Sequence, residues 1–194
     1  MNLVKTTLVA SLLALATAPA LANTPDNALV IAQNIDDIVT IDPATAYEFS
    51  SGEYVTNTYD QLVQYDAVDT ETLAPGLATE WEVDAENRTI TFTLRDGVTF
   101  HSGNPLRAED VVGSWRRVVV LDRAPAFILG NLGWTADNFD EMVSADGNTV
   151  TIRWEGDFAP SFVLNVLASR PASVVDMETV MANEVDGDMG HDWL

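Results

Sequence analysis

The residue types that a serine hydrolase needs occur close together in this chain. His101 and Ser102 are adjacent, and Asp110 follows on the same stretch. Such a set activates the serine hydroxyl when the histidine takes its proton and the carboxylate orients the histidine. Ser102, however, follows a predicted strand in a glycine-containing turn and lacks the G-x-S-x-G context of an activated nucleophile. We therefore expect no catalysis, and we keep a secreted stand-alone hydrolase or a structural domain as the alternative.

Residues for metal binding or redox chemistry are few. The chain has two histidines, His101 and His191, and no cysteine, so disulfides and thiol ligands are excluded. Asp186-Gly187-Asp188 lacks the further oxygen ligands and the glutamate of a calcium loop. We interpret this triplet as a cap or a turn, and we predict neither a metal nor a cofactor.

The charge of the chain is strongly acidic. Its 194 residues include 30 acidic and 9 basic side chains, and the formal net charge is −21. Such a surface repels phosphate backbones, which argues against nucleic acids and anionic membranes as partners. Acidic surfaces usually serve solubility, so the charge alone does not identify a ligand. With 47% hydrophobic residues, the chain is expected to be globular.

The N-terminal residues have the pattern of a secretory signal. Met1–Lys5 carries one positive charge, Leu8–Ala20 is apolar, and Ala20-Leu21-Ala22 matches an A-x-A cleavage site. The apolar run is too short for a membrane-spanning helix, and polar residues follow it. We predict that residues 1–22 are a cleaved signal peptide and that the mature chain begins at Asn23.

The first predicted elements after the signal are a strand and a helix. Ala28–Gln33 is an apolar run of strand length, and Ile41-Asp42-Pro43 ends the loop that follows it. From Glu53 to Tyr65 the apolar residues recur at helical spacing. We expect the aromatic side of this helix to belong to the core, although it could also form a ligand platform.

Two β-hairpins of similar pattern follow at a constant offset of 60 residues. The first leads from Trp81 through a turn into Arg88–Leu94, where threonines alternate with apolar residues, and Val143–Ile152 repeats the pattern. Between them, Ala108–Val120 has acidic residues in its first turn and arginines later, which favours a helix. We predict one antiparallel sheet with helices packed on it, and we interpret the two hairpins as convergent.

Three shorter elements are predicted near the C-terminal end. Asp157-Phe158-Ala159-Pro160 is typical of a helix start, because proline suits the first turn. Ala172–Val175 is predicted to be a short strand. Asp176-Met177-Glu178 is predicted to begin the last helix.

The stretch from Leu94 to Val120 reads LRDGVTFHSGNPLRAEDVVGSWRRVVV. It resembles the signature of the family 5 extracellular solute-binding proteins, roughly L-R-x-G-V-x-F-H-x-G-x-P-L-T-A-x-D-V, in which the histidine is expected to be structural and to bond nearby backbone. Arg107 departs from this pattern, since the family has a threonine there, which is a better helix N-cap. Tyr59–Asp66, Leu73–Trp81 and Gly187–Leu194 resemble further passages, and the resemblance covers Ala28 to Leu194.

The resemblance implies a mixed α/β fold, an incomplete lobe of the type II periplasmic-binding-protein kind with an inserted subdomain of hairpins and helix. Residues 23–45 would form the first strand and loop of the main lobe, 46–170 the inserted subdomain, and 171–194 a truncated return toward the main lobe. In the family, the passage that resembles Gly187–Leu194 lies well before the middle of the protein. We therefore expect this chain to be the N-terminal part of a longer protein.

The function that the resemblance implies is ligand binding, without catalysis. Such a periplasmic receptor captures oligopeptides or dipeptides and delivers them to ABC permease subunits in the inner membrane. Nickel complexes, heme and oligosaccharides are alternative ligands within the family. We expect the full-length receptor to be monomeric, and no nucleic acid to take part.

The candidate ligand contacts come from two passages. An extended peptide is held largely through its backbone, and the loop Asn34-Ile35-Asp36 can offer backbone groups at the cleft that the resemblance implies. Phe127 and Trp134 are expected either to face the same cleft or to belong to the core. In peptide-binding members, the carboxylate that grips the α-amino group comes from the later lobe, outside this chain.

Overall fold

The computed structural model describes residues 24–66 and 68–194. Two units are distinguished, one that ends at Asn34 and one that spans Ile35–Leu194. In the first unit, residues 24–34 are exposed and form no helix or strand, so the prediction of a strand at Ala28–Gln33 is wrong for this structure. A strand requires a hydrogen-bonded neighbour, and no described strand pairs with this segment. The predicted signal peptide and its cleavage site lie outside the described residues.

The second unit contains all the regular elements of the described chain. Its helices are α1 (Phe49–Thr58), α2 (Ala108–Leu121), α3 (Ala126–Gly130), α4 (Phe139–Met142), α5 (Pro160–Leu167) and α6 (Met177–Ala182), with a 3₁₀ turn at Arg170–Ala172. Its strands are β1 (Val63–Tyr65), β2 (Leu73–Pro75), β3 (Ala78–Asp84), β4 (Thr89–Leu94), β5 (Val143–Asp146) and β6 (Thr149–Arg153). Within the described ranges, no helix has the length and apolar character that crossing a membrane requires.

The predicted antiparallel sheet is confirmed. Strands β3, β4, β6 and β5 lie side by side in that order, and every neighbouring pair is antiparallel. The two hairpins meet at Thr91 and Thr151, which are opposite each other with their hydroxyl oxygens 3.1 Å apart. These residues occupy equivalent positions of the two hairpins, so β4 and β6 pair about a local two-fold axis, whereas the outer strands β3 and β5 pair in different registers. The apolar residues of the alternating pattern, such as Phe92 and Ile152, are buried.

Helix α2 packs on this sheet and forms the centre of the core. Its bounds agree with the predicted helix to within one residue. The Trp115 ring is fully buried and stacks on Trp134 with 5.7 Å between ring centroids. Its indole Nε1 donates a hydrogen bond of 2.9 Å to the carbonyl of Ala172. The helix therefore holds together the sheet and the chain segment that follows α5.

The first turn of α2 shows what the departure at Arg107 changes. The Asp110 carboxylate accepts a hydrogen bond of 2.9 Å from the Arg107 backbone N–H, as the acid of a capping box does. An arginine side chain has no acceptor atom, so it cannot bond the exposed N–H groups of the first turn in return. Only half of the capping box is present.

Helix α1 corrects the prediction for Glu53–Tyr65. The helix begins earlier, at Phe49, and ends at Thr58, and β1 follows it. The chain leaves the helix because the Leu62 carbonyl accepts hydrogen bonds from the backbone N–H groups of Gly76 and Ala78. The expectation of a core side is confirmed for Val55, Leu62 and Val63, which are buried, but it is wrong for Tyr54, which is exposed.

The segment Ala172–Val175 is buried but is not the strand that we predicted. Its backbone N–H groups donate hydrogen bonds to separate acceptors in two distant parts of the chain. Val174 donates to the carbonyl of Asp60 at 3.0 Å, and Val175 donates to the hydroxyl of Ser114 at 3.0 Å. These scattered partners satisfy the buried backbone without a ladder. The predicted starts of α5 and α6 are confirmed.

Candidate functional site

The residues that could have formed a hydrolase triad have separate partners. The Ser102 hydroxyl donates a hydrogen bond of 2.6 Å to Asp176, and Asp110 is buried in the first turn of α2. His101 is exposed, and its side chain makes no hydrogen bond to backbone in the part of the chain that the structure describes, so the structural role expected of it is not found there. Among the described residues, this arrangement provides no activated serine.

Asp176 joins the signature loop to the start of α6. Its carboxylate accepts hydrogen bonds from the Ser102 hydroxyl, the Asn104 amide and the Thr179 backbone N–H. Burial by itself raises the pKa of the Asp176 carboxyl, but hydrogen bonds from Ser102, Thr179 and Asn104 outweigh it. The pKa of Asp176 therefore lies below its ordinary value.

This network predicts a loss of stability in acid. A carboxyl whose pKa is lowered on folding stabilises the fold above its unfolded value of 3.8, and that contribution is lost as the pH falls through the lowered value. We expect Asp176→Asn to unfold more easily than wild type at neutral pH and to lose less stability on acidification. Urea midpoints between about pH 6 and about pH 2 measure both effects. Asp157→Asn, which removes an exposed carboxylate, is the control; identical pH profiles for wild type and Asp176→Asn would contradict the prediction.

A buried ion pair lies between α2 and the loop that precedes α1. The Arg117 guanidinium contacts both Asp42 carboxylate oxygens at 2.7 Å, and the two side chains are 1% and 0% exposed. Arg117 Nε also donates a hydrogen bond of 2.7 Å to the carbonyl of Met189, and the Ala44 N–H donates one of 2.9 Å to Asp42. The pair therefore connects three passages that are far apart in the sequence.

Sequence reasoning missed this pair. We interpreted Arg117 only as one of the arginines that suit the later turns of α2. Helical spacing gave no signal for it, because Arg117 falls on the side of Asp110 and Ser114, away from the apolar side that contains Val111, Trp115 and Val119.

Two titratable side chains lie close to the ion pair. Burial, and then the negative charge of Asp42, raise the pKa of the Tyr59 hydroxyl. His191 places its Nδ1 atom 3.8 Å from the nearer Asp42 oxygen. His191 is held there by the turn at Asp188, whose carboxylate accepts hydrogen bonds from the backbone N–H groups of Val185, Gly190 and Asp192. These bonds hold the pKa of Asp188 below its usual range and confirm a turn at Asp186-Gly187-Asp188.

An open depression of about 750 Å³ adjoins His191. One wall is the stretch Ile38–Ile41 with Thr45 and Glu48, and the other comes from Arg123 and Ala124. Apolar and charged side chains of both signs line it. The depression lies within the second unit and is wide open to solvent, so any ligand there would keep much of its surface in water.

The predicted loop directly precedes this depression. Asn34 belongs to the first unit, while Ile35 and Asp36 belong to the second, and all three are exposed. The Ile35 carbonyl accepts a hydrogen bond of 3.2 Å from the Ile38 N–H, which turns the chain toward the depression. The next residue, Asp37, accepts hydrogen bonds from Ser50, and these lower the pKa of its carboxyl. The loop is thereby attached to the start of α1.

The structure places the two predicted aromatic contacts differently. Phe127 is 57% exposed on α3, and its ring meets Tyr47 edge to face with 6.0 Å between centroids. Trp134 is only 3% exposed, and its indole donates a hydrogen bond of 2.8 Å to the carbonyl of Arg153. Both line a depression of about 390 Å³ near the end of α2, but Trp134 chiefly serves the core. Tyr47, which sequence reasoning missed, is exposed beside Phe127.

This fold is part of a type II periplasmic binding protein, as predicted. The model of the bacterial extracellular solute-binding proteins, family 5 (middle), matches residues 72–190, and the chain belongs to this family. The probable D,D-dipeptide-binding periplasmic protein DdpA of Escherichia coli is 31% identical over 188 residues, which are 95% of this chain and 34% of that protein. The periplasmic murein peptide-binding protein MppA of Escherichia coli is 34% identical over 84 residues, 43% of this chain and 15% of that protein.

Solved structures agree with this assignment. The Escherichia coli murein tripeptide binding protein MppA aligns with a TM-score of 0.63 and 28% identity, over 75% of this chain and 30% of that chain. Haemophilus influenzae OppA in complex with RPPGFSPFR aligns with a TM-score of 0.64 over 76% of this chain and 30% of that chain, and at 24% identity it shows the fold alone. The aligned part of the chain covers 15% to 34% of the length of these relatives, which are binding proteins rather than enzymes.

Proposed function

We propose that this chain is the first part of a periplasmic receptor that captures oligopeptides or dipeptides for an ABC importer. The observation that carries the proposal is the exposed pair of Tyr47 and Phe127 in a chain of the family 5 fold. Phe127 lines the depression near the end of α2, and Glu48, the neighbour of Tyr47, lines the open depression beside His191. Aromatic rings give contact area without selecting one side chain, as a receptor for varied peptides requires. The backbone of Asn34-Ile35-Asp36 is the proposed partner of the peptide backbone.

The depression beside His191 is wide open to solvent, and this openness supports a receptor with two lobes. Binding sites for small ligands bury roughly 70–90% of the ligand surface, which one open wall cannot do. We infer that a second lobe, outside these 194 residues, closes over the ligand and that the closed form docks on the permease subunits. Residues 1–22 would direct export to the periplasm. The receptor would be monomeric and would bind no nucleic acid.

The buried ion pair joins the three segments of the proposed division. Asp42 lies in the main-lobe segment 23–45, Arg117 in the inserted subdomain 46–170, and Met189 in the returning segment 171–194. A pair of this kind can hold the three segments in one arrangement at the foot of the cleft. The loop at the ligand side would then be rigid before the ligand arrives, which reduces the entropic cost of binding.

The test is peptide binding by the full-length protein that carries this chain. We expect calorimetry to detect binding of dipeptides and tripeptides, and mass spectrometry to recover them intact, because no activated nucleophile is assembled among the residues that the structure describes. Nickel salts, heme and a short oligosaccharide serve as competing probes for the other ligand classes of the family. Peptide hydrolysis that vanishes in Ser102→Ala would overturn a function in binding alone.

A matched pair of variants locates the site. Phe127→Ala is expected to weaken peptide binding several-fold, because the contact area between the aromatic ring and the peptide is lost. Phe162→Ala is the control, since Phe162 is also a partly exposed ring but stacks on Phe158 and does not line the depression at Phe127. Equal affinities for both variants would place the peptide away from Phe127.

A further inference from the structure

The guanidinium of Arg170 occupies the space that a side chain at position 52 would fill, and residue 52 is a glycine. It begins the 3₁₀ turn after α5, and its guanidinium lies against the backbone of Gly52 in α1. A Cβ atom at position 52 would overlap Nη1 of Arg170, so any other residue would displace the guanidinium. Position 52 therefore sets where this cation lies.

The guanidinium of Arg170 has no acidic partner in the described chain. Arg107, Arg116 and Arg117 each have a carboxylate oxygen within 3.4 Å, whereas no described carboxylate lies within 4.0 Å of Arg170. Arg170 is nevertheless half-buried, in a chain with 30 acidic residues. A partly desolvated cation without a counter-charge is a site at which an anion gains stabilisation.

A cavity of about 480 Å³ opens beside this cation, between α1, α3 and the 3₁₀ turn. The lining side chains other than Arg170 that can donate hydrogen bonds are already bonded, and Glu53 adds one carboxylate to the lining. The Tyr65 hydroxyl donates to Asn165 at 2.9 Å, and the Thr56 hydroxyl donates to the carbonyl of Gly52 at 2.9 Å. The Ser169 hydroxyl donates to the carbonyl of Val166. The N–H groups of the Arg170 guanidinium are therefore the hydrogen-bond donors that remain available to a ligand in this cavity.

We propose that Arg170 binds a carboxylate of the captured peptide. A guanidinium presents two parallel N–H groups that match the two oxygens of a carboxylate, and this geometry favours a carboxylate over a neutral amide. The cavity borders the same helices as the aromatic pair, since Ile128 of α3 lines it and Tyr47 directly precedes α1. The inference rests on the proposed function, and the carboxylate is either the peptide's C-terminus or an acidic side chain.

The experiment compares matched peptides on the full-length protein. The probes are trialanine with a free C-terminus and its amide, then Ala-Glu-Ala amide and Ala-Gln-Ala amide, titrated by calorimetry. A charge-assisted hydrogen bond contributes about 1.5–3 kcal/mol, so the carboxylate form of one pair should bind wild type at least about tenfold more tightly. The pair that shows the preference identifies the source of the carboxylate.

The variants separate recognition from packing. Arg170→Gln keeps a long side chain beside Gly52 and removes the charge, while Gly52→Ala keeps the charge and displaces it; both should reduce the preference to less than about threefold. Arg153→Ala, which removes an exposed arginine of β6, should leave it unchanged. The subsite alone would be overturned if the variants lost equal affinity for the carboxylate peptide and for its neutral partner. It would also be overturned if Arg170→Gln kept the preference for the carboxylate peptide. Failure of wild type to bind any of the four peptides would contradict the proposed function as well.

Discussion

Arg117→Ala is expected to lower the free energy of unfolding by about 3–5 kcal/mol, the usual cost of removing one partner of a buried ion pair. The substitution leaves the Asp42 carboxylate in the interior with a negative charge and no cation. It also removes the donor that bonds the carbonyl of Met189 at 2.7 Å. Urea titration followed by tryptophan fluorescence measures the loss.

The neighbouring arginine of α2 provides the control. Arg116 Nε lies 3.1 Å from Asp140, but the two side chains are 41% and 74% exposed. Exposed pairs of this kind contribute about 0–1 kcal/mol, so Arg116→Ala should be nearly silent. A loss in Arg117→Ala no larger than the loss in Arg116→Ala would show that water reaches the Asp42 carboxylate.

A double substitution tests whether the charge or the packing matters. Asp42→Leu combined with Arg117→Met removes both charges and keeps apolar volume, and such replacements of buried pairs are often tolerated. We expect the double variant to be more stable than Arg117→Ala. Recovery should be partial, because the Ala44 N–H and the Met189 carbonyl lose their partners at about 1 kcal/mol or more each.

Trp115→Ala is expected to destabilise the fold by about 3–5 kcal/mol, as large-to-small changes in a core do. The indole is fully buried, stacks on Trp134 and bonds the carbonyl of Ala172. Its removal leaves a cavity under the sheet and an unpaired buried carbonyl. Thermal unfolding of the full-length variant measures the effect, with Trp193→Ala as the control because Trp193 is half exposed.

A second variant at this position separates volume from hydrogen bonding. Trp115→Phe keeps most of the apolar contact and loses the indole N–H, so it should cost about 1–3 kcal/mol, less than the alanine variant. The opposite pattern would argue against a core position. If Trp115→Ala lost ligand affinity while its melting temperature stayed unchanged, Trp115 would belong to the binding site.

The elements that the sequence predicts well are those with long local patterns. The alternation in Arg88–Leu94 and in Val143–Ile152 identifies strands, and the apolar spacing of Ala108–Val120 identifies α2. In both cases the period of the side chains matches the geometry of the element over several residues. The stretch Leu94–Val120 also identifies the family, which the match over residues 72–190 confirms.

Short apolar runs were not sufficient to identify an element. Val63–Tyr65 continues a helical pattern but pairs with β2, because hydrogen bonds from Gly76 and Ala78 to Leu62 compete with the next helical turn. Ala172–Val175 has the composition of a strand, but its backbone makes isolated hydrogen bonds to the Asp60 carbonyl and to side chains of α2 instead of pairing with a neighbouring strand. The partners that decide these conformations lie elsewhere in the chain, so local propensity does not report them.

By itself, the sequence determined the family, the sheet, the central helix and the candidate loop and aromatic residues. Only the tertiary structure decided that Phe127 is exposed beside Tyr47 while Trp134 is buried, and that Arg117 pairs with Asp42, 75 residues away in the chain. It also placed Arg170 against Gly52. The physical reason is common to all three: periodicity gives the side of an element on which a residue lies, whereas burial and charge pairing depend on which distant segment packs against that side.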